Sequence, residues 1–123
     1  MEKETAVEAL AALAHESRLT IFRLLVPEGS AGLAAGEIGR RLDIAPNALS
    51  FHLTRLRYAR LVTVRRNGQQ MIYAAAYDGM QSLVSFLTEN CCQNDAQGCS
   101  SDCPQPLPIR KKQKQTRQKI RVA

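Results

Sequence analysis

The 123-residue chain contains no tryptophan, only three phenylalanines and three tyrosines, and no long uninterrupted apolar run. A membrane-spanning helix needs about 20 predominantly apolar residues, so none is expected. The opening MEKETAVEAL is too polar for the apolar core of a secretory signal, which makes a cytoplasmic protein without membrane association the expectation. Cysteine is absent from the first 90 residues. Acid is absent from residues 110–123, RKKQKQTRQKIRVA, which hold seven Lys or Arg. Without that tail the formal charge of +6 becomes −1, ten bases against eleven acids in residues 1–109. A globally basic folded part is thereby excluded. The informative concentration is local: residues 40–66 carry Arg40, Arg41, Arg55, Arg57, Arg60, Arg65 and Arg66 against a single acid, Asp43.

What is present is a series of short amphipathic segments. Val7, Leu10, Ala11 and Ala14 recur at helical spacing, and Leu19, Phe22, Leu25 and Val26, widened by Ile21 and Leu24, mark a second helix that Pro27 and Gly29 end. Glu37–Leu42 reads as a short third helix with Ile38 and Leu42 inward. Pro46 suits the first position of a fourth, where its missing N–H needs no partner. That helix, Pro46 to about Ala59, turns Leu49, Leu53 and Leu56 inward and shows Asn47, Ser50, Phe51, Thr54, Arg55 and Tyr58 on its other face. In LVTVRRNGQQMIYAA, β-branched residues flank Asn67-Gly68, a pair that supplies the positive φ angles of a two-residue hairpin turn. Asp78 caps a fifth helix in this reading, with Gln81 as capping-box partner and Met80, Leu83, Val84 and Leu87 as its stripe.

The order is helix, helix, short helix, tight turn, helix, hairpin, helix. It predicts a mainly α protein with a small β-hairpin, a winged helix-turn-helix. The expected organisation is a folded domain over 1–90, a Cys-rich segment over 91–109 and a basic tail over 110–123 that lacks the apolar residues to fold by itself. A helix of this kind fits the major groove of duplex DNA, so Asn47, Ser50 and Arg55 are candidates for base or phosphate contact. Arg65 and Arg66, near the wing tip, are expected at the phosphate backbone. His52 borders the Leu49–Leu53 face, where it either caps the core or pairs with a phosphate, and His15 reads as structural.

The segments LAHESRLTIFRLL, IAPNALSFHLTRLRYARLV and VRRNGQQMIYAA together resemble the ArsR/SmtB family of metalloregulatory winged-helix repressors, over residues 6–90. The resemblance implies a homodimer, joined chiefly through the first and last helices, that occupies an inverted-repeat operator and leaves it when a metal or metalloid binds. The chain departs from the family at two places. Arg60 stands where "AGLV" usually has glycine, which asks for a left-handed backbone at a cost of about 1 kcal/mol. His15-Glu16 stands where Asp or Ser often caps the second helix.

All four cysteines fall in ENCCQNDAQGCSSDC: Cys91, Cys92, Cys99 and Cys103. In a reducing compartment such a cluster points to metal, metalloid or redox chemistry rather than to a structural disulfide. The third helix has no thiol, and the fifth lacks the His and acidic pairs of zinc-responsive relatives. The chain therefore resembles the arsenic-responsive branch with a C-terminal Cys-Cys…Cys site. Trivalent arsenic, the expected inducer, is soft and favours three thiolates. Cys91 and Cys92 are adjacent, and the spacer QNDAQG can fold Cys99 back to them; Cys103 can replace Cys99 or complete a Cys₄ site for Zn²⁺ or Cd²⁺. A thiol redox sensor is the other class of reading. No organic cofactor is implied, and no nucleophile, base and orienting residue form a catalytic set.

Overall fold

The computed structural model describes residues 1–95. Its order is α1 (Lys3–Leu13), α2 (Glu16–Leu25), a 3₁₀ stretch (Val26–Ala31), β1 (Leu33–Ala34), α3 (Ala35–Leu42), α4 (Pro46–Tyr58), β2 (Val62–Asn67), β3 (Gln70–Ala75) and α5 (Tyr77–Leu87). This is a mainly helical winged helix-turn-helix with a small antiparallel sheet. Backbone contacts divide the chain into two units, Met1–Met80 and Gln81 onward. The Cys99 and Cys103 positions and the basic tail lie outside the described residues.

In the first unit the core is aliphatic, with Ile21, Leu25, Ile38, Leu53, Leu56 and Leu61 fully enclosed. Helix α4 supplies Leu49, Leu53 and Leu56 from one face, as its spacing predicted, and packs against α1, α2, α3 and β2. On α1 the helical period alone leaves the buried side open. Its inward residues are Ala6, Ala9 and Ala12, whose small side chains let the helix approach closely, while Val7 and Leu10 are 57% and 42% exposed and Ala11 and Ala14 are exposed too. The apolar stripe seen in the sequence is real but faces outward. On α2 the inward set is Arg18, Ile21, Phe22 and Leu25, with Leu19 exposed.

The turn between α3 and α4 is closed by backbone geometry. Asp43 adopts φ 55°, and the N–H of Ile44 donates to the Gly39 carbonyl at 3.0 Å. A β-carbon on Gly39 would meet the Ile44 carbonyl at 3.2 Å and the Leu49 side chain at 3.3 Å, so glycine permits the close α3–α4 approach.

The sheet has three strands in the order β1-β3-β2, one more than the hairpin expected. Two residues are enough for β1, because Leu33 and Ala34 need only pair with Tyr73 and Ile72. The hairpin register also differs from expectation. Asn67 pairs with Gln70, so the two-residue loop is Gly68-Gln69, and Gly68 at φ 65° fills the first loop position as a type II′ turn requires. At the other end of the wing, Arg60 takes the left-handed backbone expected of it, φ 64°, as the residue after the α4 cap. A β-carbon on Gly79 would overlap the Arg60 carbonyl, which explains glycine in the first turns of α5. Asp78 sits inside the first turn of α5 rather than as its cap, where its charge still complements the helix dipole.

In the second unit, Leu83 and Gln81 of α5 are buried while Val84 and Leu87 are exposed. Helix α5 gives way to tight turns: Cys91 N–H donates to the Thr88 carbonyl at 3.0 Å, Gln93 to Asn90 at 3.1 Å and Asp95 to Cys92 at 3.1 Å. Asn90 and Cys92 both have positive φ, 63° and 61°. No helix among the described residues is long and apolar enough to cross a membrane.

Candidate nucleic-acid interface and thiol pair

Helix α4 begins at Pro46 after Ala45, whose extended backbone offers no side-chain cap. The N–H groups of its first turn therefore point outward without a side-chain acceptor, an arrangement suited to phosphate. Asn47, Ser50, Phe51, Thr54 and Arg55 are all exposed on the face opposite Leu49, Leu53 and Leu56. The structure thus brings three sequence candidates, Asn47, Ser50 and Arg55, onto one solvent face. Arg55 does not point freely: its guanidinium carbon lies 5.7 Å from the centre of the Phe51 ring, a cation–π contact.

His52 is set apart from them. It is only 9% exposed, and of the two roles open to it in the sequence the structure shows the inward one. Arg18, itself 7% exposed, donates from Nε to the Ala12 carbonyl at 2.6 Å and from Nη1 to His52 Nδ1 at 3.2 Å. Arginine has only donors, so His52 must accept at Nδ1 and carry its proton on Nε2. Burial, then the nearby His15 and Arg18, hold the His52 pKa below its ordinary value. His15, whose ring centre is 4.7 Å from that of His52, caps α2: its Nδ1 accepts from the Ser17 N–H at 3.1 Å. That resolves the capping of α2, with a ring nitrogen in place of the usual side-chain oxygen. The node ties the end of α1, the start of α2 and the middle of α4 together.

Arg18 was missed in the sequence, although a signal was there. Arg18, Ile21, Phe22 and Leu25 stand at i, i+3, i+4 and i+7, so an arginine occupies the phase of the apolar stripe.

On the wing, Arg65 is braced rather than free. It donates to the carbonyls of Ser30 at 3.0 Å and Ala31 at 3.2 Å, joining β2 to the 3₁₀ stretch while the residue remains exposed. Arg66 donates from Nε to the Gly68 carbonyl at 3.1 Å, at the hairpin tip. On α3, Glu37 accepts from both Arg40 and Arg41, and these contacts hold its carboxyl down to about 2. Those two arginines are therefore partly neutralised by their own helix.

The thiol pair belongs to the second unit. Cys91 and Cys92 are half-buried, with sulfurs 3.6 Å apart, beyond the roughly 2 Å of a disulfide. The Cys91 thiol in contact with it, reinforced by burial, pushes the Cys92 thiol up. Among the described residues no group of three or more His, Cys, Asp or Glu side chains is placed to hold a metal ion.

A fold with an exposed polar helix set on a tight turn beside a basic wing is that of a winged helix-turn-helix DNA-binding protein. Residues 13–65 match the family model described as a helix-turn-helix domain. The transcriptional activator HlyU of Vibrio cholerae is 35% identical over 95 residues, 76% of this chain and 85% of that protein. Its solved structure superposes with a TM-score of 0.59, covering 76% of this chain and all of that one. A Halobacterium salinarum protein that carries the name arsenical resistance operon repressor ArsR is 37% identical over 83 residues, 68% of this chain and 64% of its own length. The homodimeric winged helix-turn-helix domain Mb0332 of Mycobacterium bovis, described as a possible ArsR-family regulator, is 25% identical with a TM-score of 0.58, covering 72% and 82% of the two chains. The chain belongs to the ArsR family of winged helix-turn-helix transcriptional regulators, whose members bind DNA.

Proposed function

We propose that this protein is a dimeric transcriptional repressor that holds operator DNA through α4 and the wing and releases it when trivalent arsenic binds its cysteine thiolates. The observation that carries the reading is the 3.6 Å separation of the Cys91 and Cys92 sulfurs. Two sulfurs at that spacing, each about 2.3 Å from one soft ion, subtend an angle of about 100° at it. That spacing suits a shared thiophilic ligand. Cys99 or Cys103 supplies the third thiolate. Arsenite is the reference inducer, with antimonite and methylarsenite as further trivalent candidates. Because thiolates are the ligands, binding releases protons and weakens in acid. The reduced thiols this requires are those of a cytoplasmic protein.

The dimer rests on the outward stripe of α1. Val7, Leu10, Ala11 and Ala14 present apolar surface to solvent, and Val84 and Leu87 do the same on α5. Buried against a second copy, the α1 stripe joins two α4 helices on one duplex, and Mb0332 is a homodimeric relative. Asn47, Ser50 and Arg55 contact base edges or phosphates, Arg66 and the open side of Arg65 contact the backbone, and His52 positions α4 through Arg18. Repression rather than activation is the reading that an inducer-released DNA binder implies, although HlyU is named an activator.

The test is direct binding of arsenite, antimonite, methylarsenite, Cd²⁺ and Zn²⁺ to the reduced protein and to each Cys→Ser variant. Loss of arsenite binding in Cys91→Ser and Cys92→Ser, and in one of Cys99→Ser or Cys103→Ser, is expected. Tight binding of Zn²⁺ but not arsenite, dependent on all four thiols, would select the zinc or cadmium reading instead.

A further inference from the structure

We infer that Phe51 is a specificity-determining residue that reads a thymine methyl group in the major groove, an inference that rests on the DNA-binding reading above. The placement of Phe51 carries an unpaid cost. Phe51 is 55% exposed on the solvent face of the helix that meets DNA, where an aromatic ring gains nothing from its own core. At about 100° per residue, Phe51 falls between Asn47 and Arg55, near the middle of that face, while the small exposed Ala48 lies toward the His52 flank. Phe51 is the sixth residue of α4, within the early turns from which recognition helices reach base edges. Tyr58 is the more exposed aromatic, but it is the last residue of the helix.

The chemistry of the groove then selects the partner. Asn47, Ser50, Thr54 and Arg55 all end in groups that can hydrogen-bond, and they suit the donors and acceptors of base edges. The one apolar feature on those edges is the C5-methyl group of thymine, and Phe51 is the large apolar side chain facing it. The ring is also held. His52, fixed by Arg18, stands edge-on to it at 5.7 Å between ring centres with a 62° interplanar angle, and Arg55 lies over its face. A positioned ring loses little freedom on binding, and it places the Arg55 guanidinium beside the same base step.

The experiment selects tight-binding duplexes from a randomised pool with the full chain, then remakes the best duplex with each dT replaced in turn by dU, which removes only the methyl group. The expected result is one thymine per half-site at which dU weakens binding about fourfold, the worth of one buried methyl group. In Phe51→Ala that position should lose its preference for dT over dU, while Phe51→Leu, still apolar, should keep part of it. The inference is overturned if no dU position weakens binding, or if the loss persists unchanged in Phe51→Ala. A pool that yields no bound duplex would overturn the DNA-binding reading itself and this one with it.

Discussion

Helix α4 and the Cys91–Cys92 segment position their chemistry by opposite means. The helix is fixed by three buried leucines and by a histidine held on a buried arginine that also reaches the α1 backbone. The thiol segment is shaped by short turns, whose backbone hydrogen bonds span three residues, and by a positive φ at Cys92 itself. A groove reader must keep the shape of the duplex it meets, and a deep core gives that rigidity. A thiolate site must close around an incoming ion, and locally held backbone can adjust to it.

That contrast can be broken first at the core. Leu53 is 1% exposed, and Leu53→Ala should cost about 2–5 kcal/mol of folding free energy by denaturant titration. Arg18→Met should cost about 1–3 kcal/mol, because the Ala12 carbonyl and His52 Nδ1 both lose their donor. It should also weaken DNA binding more than it changes arsenite affinity. Equal effects on both would show that the two regions are not energetically distinct.

The His52 node predicts a pH dependence of stability. The folded pKa lies below the ordinary 6.5, so above that value the ring is neutral in both states and its contribution is complete. As pH falls below 6.5 the unfolded chain takes up the proton first, and stability declines until the folded ring also protonates. Unfolding titrations between pH 7.5 and 5.5 should show a slope that His52→Gln reduces. The smallest expected effect is a gain: Arg60→Gly should raise stability by about 1 kcal/mol by relieving the left-handed backbone, read as a higher midpoint.

Periodicity made the helices legible, because each apolar position of α2 and α4 has a neighbour three or four residues away. It could not say which side an apolar stripe faces. On α1 alanines turned inward and Val7 and Leu10 outward, since a close helix approach needs small side chains. Strand β1 was illegible for a different reason: two residues carry no period, and only the partners on β3 define them. The hairpin slipped by one residue because Asn-Gly and Gly-Gln satisfy different two-residue turns, and the cross-strand register chose between them. At the site, helical period placed Asn47, Ser50 and Arg55 on the solvent face where the structure has them, whereas the inward turn of His52 depended on Arg18, 34 residues earlier in the chain.

Control of the DNA-reading helix by the thiol segment, as proposed, is read from the affinity of the reduced full chain for its selected operator duplex, measured at fixed salt with and without arsenite. A loss of about 100-fold, a coupling of about 3 kcal/mol, is expected, with a matching loss of arsenite affinity when operator is present. Operator affinity unchanged by saturating arsenite would contradict it.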